Sequence, residues 1–395
     1  MEVLEITRTA IKKELAVQKL LREKRKTVFY AKRECRNFKT FYENLSTDLV
    51  NKLPQPTNKF GMDSIRKYYN RLGLQNENFK FDPVTETMVH LLLENINPDK
   101  AVGVDNMAGR FLKDGSNILK GPITKLINLS IHTSKFPDGC KIAKLKPLYK
   151  KGSFLEAKNY RPISLLPLLS KIFEKIIHDQ TQTYLDEKKI LYTYQSGFRA
   201  KHSTSTCLSL LQNKILNGFD NGQLTGMILI DLQKAFDTID HKIFLQKLAY
   251  MGFSEDSVSW YKSYLENRTF VVNIEEDYSS PASLICGVPQ GSILGPLIFL
   301  MYVNDMPQSI DCDLFLYADD SCLLFTANDL QEIEQKLNKN FNSLCDWFVE
   351  NKLSIHFGED KTKSIVFGTG KRLKHLAEMN ISRGEVKIKQ HSSVT

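Results

Sequence analysis

The sequence has no long apolar run, no paired cysteines and no internal repeat. No stretch approaches the ~18 apolar residues that a membrane-spanning helix needs, and the N-terminus has no apolar core of the signal-peptide type. The seven cysteines are scattered and never form a Cys-x-x-Cys pair, which argues against a disulfide framework and against a zinc module. We therefore expect a soluble intracellular protein without membrane contact.

The excess of basic residues is confined to the first fifth of the chain. The 395 residues carry a formal net charge of +9. Residues 1–80 hold 18 Lys and Arg against 9 Asp and Glu, whereas the two signs balance over residues 81–395. A basic segment beside an enzyme-like body predicts a polyanionic partner, most often nucleic acid, although a solvated helix face gives the same count.

Apolar periodicity predicts a helical extension followed by a larger body of mixed α/β class. With 42% apolar residues the chain can bury a large core. Residues 1–80 are predicted to form basic helices, over 3–50, and a linker at Pro54–Gly61. Within residues 81–395, helical spacing occurs at 84–93, 108–133, 168–190, 203–220, 235–248, 257–265 and 329–350, and strand patterns occur at 140–150, 160–166, 226–231, 270–274, 314–325 and 353–367. The last of these is predicted to be a short sheet with Lys361 and Lys363 between its strands.

Three carboxylates stand at the ends of predicted strands. Residues 314–325 read as a β-hairpin with Asp319 and Asp320 at its tip. Taken alone, this pair fits a solvated turn equally well. However, the apolar run Gly226–Ile230 ends in Asp231, which is the pattern of a buried central strand with an acid at its carboxyl end. We therefore predict that the three acids lie together.

Carboxylates from a strand end and a neighbouring hairpin tip can converge on hard divalent cations. Two such ions, ~3.5–4 Å apart, activate an attacking hydroxyl and stabilise a leaving oxygen in an in-line displacement. Phosphoryl transfer needs little else from a protein than positioning and charge. Asp231, Asp319 and Asp320 are therefore the predicted ligands of two Mg²⁺ ions, which Mn²⁺ can replace.

Two segments have the composition of phosphate-binding sites. Residues 140–166 alternate apolar and basic side chains along a predicted hairpin, in which Lys150, Lys151 and Arg161 can converge on a phosphate. A plain surface hairpin is the simpler explanation of that segment taken alone. Gly287–Pro296 is a glycine-rich loop that opens an apolar helix, where glycines let a ligand approach the backbone amides or merely cap the helix.

Several segments in order resemble the palm motifs of reverse transcriptases. The three that carry this resemblance are Asp231-Leu-Gln-Lys-Ala-Phe-Asp237, Gly287-Val-Pro-Gln-Gly-Ser292 and Tyr317-Ala-Asp-Asp320. Four further segments are similar to non-LTR, LINE-type retrotransposon polymerases, especially jockey-like ones. They are Tyr160-Arg-Pro-Ile-Ser-Leu-Leu166, Gln195-Ser-Gly-Phe-Arg199, Ala235-Phe-Asp-Thr-Ile-Asp-His241 and Gly291-Ser-Ile-Leu-Gly-Pro-Leu-Ile-Phe299. The similarity covers roughly residues 84–395.

The resemblance implies a right-hand polymerase with fingers and palm, in which an antiparallel palm sheet packs on helices. The core motifs then span residues 140–368. The implied activity is RNA-directed DNA synthesis, with an RNA template, a DNA primer and dNTPs as partners. By the same resemblance, Asp231 and Asp319 match the two metal-binding acids and Asp320 matches the accompanying third. Lys361 resembles a palm lysine suggested as the acid for the pyrophosphate leaving group, although a solvated turn lysine fits equally well.

The resemblance also assigns residues to the nucleotide site. Phe236 matches the bulky side chain that closes against the sugar C2′ and excludes a ribose hydroxyl, and it is equally suited to core packing. Gln290, followed by Gly291, matches the residue that lies by the incoming nucleotide. Lys151 and Arg161 resemble the fingers groups that hold the triphosphate, and the preceding lysine competes with Lys151 for that match.

Two other classes of polymerase share some of these motifs. A viral RNA-dependent RNA polymerase predicts a smaller or polar group in place of Phe236, and a group II intron maturase fits Gly291–Pro296 less well. Residues 1–80 are too few for the endonuclease that usually precedes this type of polymerase, and the chain stops before the primer-grip strands and thumb. A fragment is therefore expected, with a catalytically inert RNA-binding remnant as the alternative. Oligomeric state stays open, as does the choice between a nuclear and a cytoplasmic ribonucleoprotein.

Overall fold

The computed structural model describes residues 28–53, 61–358, 361–374 and 376–391. One or two helices were predicted over residues 3–50, and the structure describes a helix from residue 28 onward. The rest of that prediction falls outside the described residues, as does nearly all of the predicted linker at Pro54–Gly61.

The helices and strands of the described residues follow the order below. The helices are α1 (Val28–Asn51), α2 (Gly61–Arg71), α3 (Glu86–Glu94), α4 (Gly109–Asp114), α5 (Ser116–Thr133), α6 (Leu168–Glu187), α7 (Thr204–Asp220), α8 (His241–Tyr250), α9 (Glu255–Leu265), α10 (Leu294–Val303), α11 (Leu330–Glu350) and α12 (Gly370–Leu373). The strands are β1 (Ile142–Tyr149), β2 (Tyr160–Leu165), β3 (Leu224–Ile230), β4 (Leu232–Gln233), β5 (Arg268–Ile274), β6 (Asp277–Tyr278), β7 (Ala282–Leu284), β8 (Asp313–Tyr317), β9 (Asp320–Ala327), β10 (Ser354–Ile355), β11 (Lys363–Phe367), β12 (Ile381–Arg383) and β13 (Val386–Ile388).

A four-stranded antiparallel sheet in the order β11-β3-β9-β8 carries the predicted acids. The apolar strand β3 lies inside this sheet, which confirms the prediction of a central strand. Strands β8 and β9 form the predicted hairpin, in which Tyr317 pairs with Asp320. Only Ala318 and Asp319 lie between the two strands, so the turn is a tight one.

The two faces of this sheet are covered by different helices. On one face, α11 packs so closely that a Cβ on Gly226 would lie 2.3 Å from the Ile333 side chain. On the other face, Met227 and Leu229 join a smaller cluster that includes Leu211 of α7. Because side chains alternate along a strand, Asp231 follows on the same face as Met227 and Leu229. The acid thus continues the α7-covered face beyond the end of the strand.

A second sheet, in the order β2-β1-β5 with β6 and β7 also paired to β5, lies beside helix α1. The predicted hairpin of β1 and β2 is confirmed, and β1 also pairs in parallel with β5. Helix α1 buries Phe38 and Tyr42 in one cluster with Leu145 and Phe270 of this sheet. The apolar face of the basic N-terminal helix is therefore used for packing.

The helices around these sheets follow ordinary amphipathic patterns. Helix α11 begins after Asp329, whose side chain accepts a hydrogen bond from the Glu332 backbone N–H, and its apolar side is buried. Helix α10 consists of apolar residues and Gly and Pro, and nearly all of it is buried, as expected for a helix in the centre of a core. Among the described helices, none is long and apolar enough to cross a membrane.

The helix predicted over 235–248 is shorter than expected. Residues Ala235–Asp237 form a 3-10 turn after Lys234 in the left-handed region, at φ 50°, and the α-helix begins only at His241. The side chain of Asp240 caps that helix by accepting a hydrogen bond from the Ile243 backbone N–H. The apolar spacing is real, but the backbone of this segment bonds to the glycine-rich loop rather than to its own next turn.

The short sheet predicted over residues 353–367 is wrong. Its two strands do not pair with each other: β10 pairs with β4, whereas β11 pairs with β3 at the edge of the four-stranded sheet. Lys361 lies between β10 and β11 as predicted, but Lys363 is the first residue of β11. Alternation identifies an extended segment with two faces and does not identify its pairing partner.

Candidate active site

The three predicted acids lie at one end of the four-stranded sheet. Strand β3 pairs with β9 up to Ile230 and Ser321. One further step of this antiparallel register places Asp231 opposite Asp320, and cross-strand neighbours of this kind have Cβ atoms about 5 Å apart. Asp319 lies beside them in the hairpin turn. The structure therefore places all three residues that the sequence grouped at the same end of the sheet.

A short segment after β10 wraps around Asp231. The Nζ atom of Lys361 lies 2.5 Å from the Asp231 Oδ2 atom. The His356 backbone N–H donates to the Asp231 carbonyl oxygen at 2.8 Å, and the Asp231 backbone N–H donates to Thr362 Oγ1 at 3.4 Å. The predicted lysine is thus an ion-pair partner of a predicted metal ligand, rather than a solvated turn residue.

The charges of the three acids affect one another. Burial raises the pKa of Asp320, and the negative charges of Asp319 and Asp231 raise it further, whereas Lys361 opposes the shift. A cation between the carboxylates would relieve this repulsion, and carboxylate oxygens are the ligands that Mg²⁺ prefers. In the described part of the chain, however, no three His, Cys, Asp or Glu side chains are arranged closely enough to hold an ion. The carboxylate oxygens are thus suitable ligands for Mg²⁺, but in this structure they are not arranged around a common point.

The turn that carries Asp319 is held by the segment Gln195–Gly197. The buried Oε1 atom of Gln195 accepts hydrogen bonds from the backbone N–H groups of Gly197, at 2.8 Å, and Ala318, at 3.1 Å. Ala318 is in the left-handed region at φ 57°. A Cβ on Gly197 would lie 2.1 Å from the Ala318 nitrogen, so only glycine allows this approach.

Phe236 packs among other aromatic rings on the rim of the core. Its ring stacks on that of Phe299 at a centroid distance of 4.8 Å and meets that of Phe198 edge-on at 5.9 Å. The side chain is only half-buried. Phe236 therefore has a packing role, and its exposed part is available for contact with a ligand.

Gln290 and Phe236 belong to two loops that are hydrogen-bonded to each other. The Val288 backbone N–H donates to the Phe236 carbonyl oxygen at 2.9 Å. The Nε2 atom of Gln290 donates to both carboxylate oxygens of Asp237, at 2.8 and 2.9 Å. The two predicted nucleotide-contact residues thus keep a fixed relation to each other.

Gly291 joins the glycine-rich loop to the β1–β2 hairpin. It has φ 124°, which favours glycine, and a Cβ there would lie 2.7 Å from the Ser164 carbonyl oxygen. The Ser164 backbone N–H donates to the Gln290 carbonyl oxygen at 2.8 Å. This close contact gives a structural reason for glycine, beside the predicted approach of a ligand.

The basic groups of the hairpin lie within electrostatic range of the acids. Burial lowers the pKa of Lys150, as do the positive charges of Arg161, Lys361 and Lys151, and Asp231 opposes the shift. Lys151 and Arg161 are exposed. Because Lys150 interacts electrostatically with both Arg161 and Asp231, it joins Lys151 as a candidate phosphate ligand.

Two residues that hold the site together carry no functional signal of their own in the sequence. Gln195 supports the turn of Asp319, and Asp237 binds the side chain of Gln290. Both lie in segments that carried the family resemblance, Gln195–Arg199 and Ala235–His241. That resemblance was the available signal, since neither residue stands out by periodicity.

Comparisons with known proteins show which family the chain resembles. The profile of the family described as "Reverse transcriptase (RNA-dependent DNA polymerase)" matches residues 148–381. The chain is 32% identical over 277 residues to "Probable RNA-directed DNA polymerase from transposon BS" of Drosophila melanogaster, covering 67% of this chain and 30% of that protein. It is 29% identical over 290 residues to "RNA-directed DNA polymerase from mobile element jockey" of Drosophila funebris, covering 70% of this chain and 31% of that protein. The chain thus spans about 30% of the length of these relatives.

Proposed function

Because this chain belongs to the reverse transcriptase (RNA-dependent DNA polymerase) family, we propose that it transfers deoxynucleotidyl groups from dNTPs to a primer 3′-hydroxyl on an RNA template. The relatives are named as RNA-directed DNA polymerases of transposable elements. The observation that carries the proposal is the position of Asp231, Asp319 and Asp320 at one end of the sheet. Lys150 of the basic hairpin lies within electrostatic range of Asp231. Its partners are then an RNA template, a DNA primer and dNTPs.

The fold divides into parts with distinct proposed tasks. The four-stranded sheet and helices α7, α10 and α11 correspond to a palm, and the sheet of β1, β2 and β5 corresponds to fingers. Residues 1–80 are a basic helical extension, and residues 81–395 contain the fingers and palm. The protein would act within a ribonucleoprotein in the nucleus or the cytoplasm.

Asp231, Asp319 and Asp320 would hold two Mg²⁺ ions, or Mn²⁺ in their place. When bound, these ions supply the positive charge that activates the primer hydroxyl and stabilises the leaving oxygen. The chain's own contribution is to place the three carboxylates at the same end of the sheet. Lys361 forms an ion pair with Asp231, and it would be the acid that donates a proton to the pyrophosphate leaving group.

The nucleotide would lie between the hairpin and the acids. Arg161 and Lys151 bind its triphosphate, by a bidentate contact and as a point charge respectively. Phe236 closes against the sugar C2′, where a ribose hydroxyl would collide with its ring. Gln290 and Gly291 contact the nucleotide from the glycine-rich loop.

Primer extension tests the proposal directly. The chain is incubated with poly(rA)/oligo(dT), dTTP and Mg²⁺ or Mn²⁺, beside an Asp319→Ala variant. A matched control is Asp313→Asn, which removes a carboxylate from the same hairpin where it pairs with Lys214 at 3.0 Å. Extension by the wild type and Asp313→Asn, with less than 1% of that rate in Asp319→Ala, is expected.

The same assay separates the alternative function. RNA binding without extension under any of these conditions would favour a catalytically inert RNA-binding remnant. Extension that survives in Asp319→Ala would show that the acids are assigned wrongly. Thermal unfolding of each variant establishes that a lost activity is not a lost fold.

A further inference from the structure

One carboxylate receives both hydrogen bonds that the amide nitrogen of Gln290 donates. The Gln290 Nε2 atom lies 2.8 Å from Asp237 Oδ1 and 2.9 Å from Oδ2. An ionised carboxylate only accepts hydrogen bonds, so it attracts the NH₂ group and repels the amide oxygen. Asp237 therefore decides which end of the Gln290 amide points toward it and which end points away.

Asp237 is itself held in a rigid place. Its backbone N–H donates to the Lys234 carbonyl oxygen at 2.8 Å, which closes the 3-10 turn. A Cβ on Gly287 would lie 2.7 Å from the Asp237 carbonyl oxygen, so the two loops are in close contact. The Gly287 backbone N–H also donates to the Ile239 carbonyl oxygen at 2.8 Å. The carboxylate thus acts from a fixed support rather than from a mobile loop.

The free end of the Gln290 amide has no hydrogen-bond partner among the described residues. The carbonyl oxygen of Gln290 accepts a hydrogen bond from the Ser164 backbone N–H, and two residues earlier the Val288 backbone N–H donates to the Phe236 carbonyl oxygen. Phe236 is the residue proposed to contact the sugar of the nucleotide. The Oε1 atom of Gln290 is therefore an oriented acceptor on the loop that is hydrogen-bonded to the backbone of Phe236.

We infer that Asp237 is a positioning residue for nucleotide binding, which fixes the amide of Gln290 so that its oxygen accepts a hydrogen bond from a donor on the incoming dNTP. This inference rests on the proposed function. Asp237 touches neither the reacting atoms nor the metal-binding acids in this arrangement. It acts only through Gln290, and that restriction can be tested.

Protonation of Asp237 should change the orientation of the Gln290 amide, which gives a second test. Burial raises its pKa to about 6, whereas the hydrogen bond from Gln290 and the charge of Lys234 act in the opposite direction. Tyr42 of α1 faces the same carboxylate, and Cys286 approaches the Asp237 carbonyl oxygen. Once protonated, the carboxyl group can donate to Gln290 Oε1, which allows the reversed amide. The orienting effect should therefore weaken as the pH falls through about 6.

Asp237→Asn is the decisive variant, because it keeps shape and removes the charge. Asparagine can pair with both ends of the glutamine amide and so occupies Oε1. We expect KM for dTTP in primer extension to rise about tenfold, with kcat changed less than twofold. Asp240→Asn is the matched control, since Asp240 lies in the same segment but caps α8 and pairs with Lys352, and its KM should stay within twofold of wild type.

A double-mutant cycle tests whether Asp237 acts through Gln290 alone. Gln290→Ala should raise KM for dTTP about as much as Asp237→Asn, and the double variant should show no further increase. Fully multiplicative effects, or an unchanged KM in Asp237→Asn, would overturn the inference. The KM ratio of Asp237→Asn to wild type should also shrink from pH 8 toward pH 5.5.

Two measurements keep the inference testable apart from catalysis. If wild type extends no primer, the proposed function fails, and calorimetric Kd values for dTTP with Mg²⁺ replace KM in the same cycle. In protein labelled with [¹⁵N]glutamine, the Gln290 side-chain NH₂ signal, assigned with Gln290→Ala, should titrate near pH 6 and lose that titration in Asp237→Asn. If the chemical shift of the Gln290 NH₂ signal changes neither with pH nor in Asp237→Asn, the inference is contradicted, whatever the activity of the enzyme.

Discussion

The ammonium group of Lys361 lies 2.5 Å from a carboxylate oxygen of Asp231, so one of the three acids is neutralised by a side chain of the same chain. A divalent ion that binds Asp231 must compete with this lysine. Both side chains are about 70% buried, which makes the attraction stronger than that of a surface pair. Lys361 is therefore expected to weaken metal binding at Asp231, in addition to the proton transfer proposed for it.

Replacing Lys361 with alanine should separate these two effects. Without the competing ammonium group, we expect the Mg²⁺ concentration for half-maximal extension to fall severalfold. If Lys361 also donates a proton to pyrophosphate, kcat should fall at least tenfold. Lys363→Ala, which removes a neighbouring lysine from β11, serves as the control. An unchanged Mg²⁺ midpoint and an unchanged kcat would return Lys361 to a structural role.

Phe236→Ala should admit ribonucleotides, because removal of the ring opens space at the sugar C2′. We expect the dTTP/rUTP selectivity to fall by a hundredfold or more, and each tenfold corresponds to ~1.4 kcal/mol. The lost stack on Phe299 should also lower the free energy of unfolding by about 2–3 kcal/mol. Phe198→Ala removes the neighbouring, exposed ring and should leave selectivity unchanged. Selectivity that survives in Phe236→Ala would leave Phe236 with core packing alone.

Gly197→Ala should reduce extension without a change in the acids. The new methyl group would lie 2.1 Å from the Ala318 nitrogen and would displace the turn that carries Asp319. We expect kcat to fall more than tenfold, while thermal unfolding shows that the fold persists. Gly370→Ala is the matched control, since a Cβ there meets nothing within 4 Å. A wild-type kcat in Gly197→Ala would show that the turn tolerates the displacement.

The basic residues of α1 should supply nonspecific affinity for RNA. Arg33 and Arg36 are exposed, whereas Phe38 and Tyr42 are buried against the second sheet. Deletion of residues 1–80 would therefore also remove core packing, and substitution is the cleaner test. Since each phosphate contact on a single strand contributes about 0.7 to the salt slope, Arg33→Gln with Arg36→Gln should flatten log K against log salt by about 1.4.

The control for that measurement is a second pair of exposed basic residues. Lys113 and Lys125 lie on α4 and α5, and their joint replacement with glutamine removes the same charge from another surface. Its slope should match that of wild type. Equal slopes in all three proteins would show that α1 does not touch nucleic acid.

Local pattern was sufficient where an element's own sequence decides its structure. The apolar run of β3, the hairpin with Asp319 in its turn and the amphipathic α11 were all predicted, because burial on one face imposes a fixed period. The apolar pattern did not predict the structure where another segment bonds to the backbone groups that a helix would use. Residues 235–240 have helical spacing, yet the Phe236 and Ile239 carbonyl oxygens bond to residues 288 and 287.

The sequence by itself determined which residues are chemically exceptional: three acids at strand ends, a basic hairpin and a glycine-rich loop. Only the tertiary structure decided what holds them. The side chain of Gln195 accepts a hydrogen bond from Ala318, which is 123 positions away, and Asp237 accepts from Gln290, which is 53 positions away. Strand β11 pairs with β3 rather than with β10. Periodicity reports which face of an element is buried, whereas the identity of the partner depends on how all faces pack at once, and no local stretch carries that information.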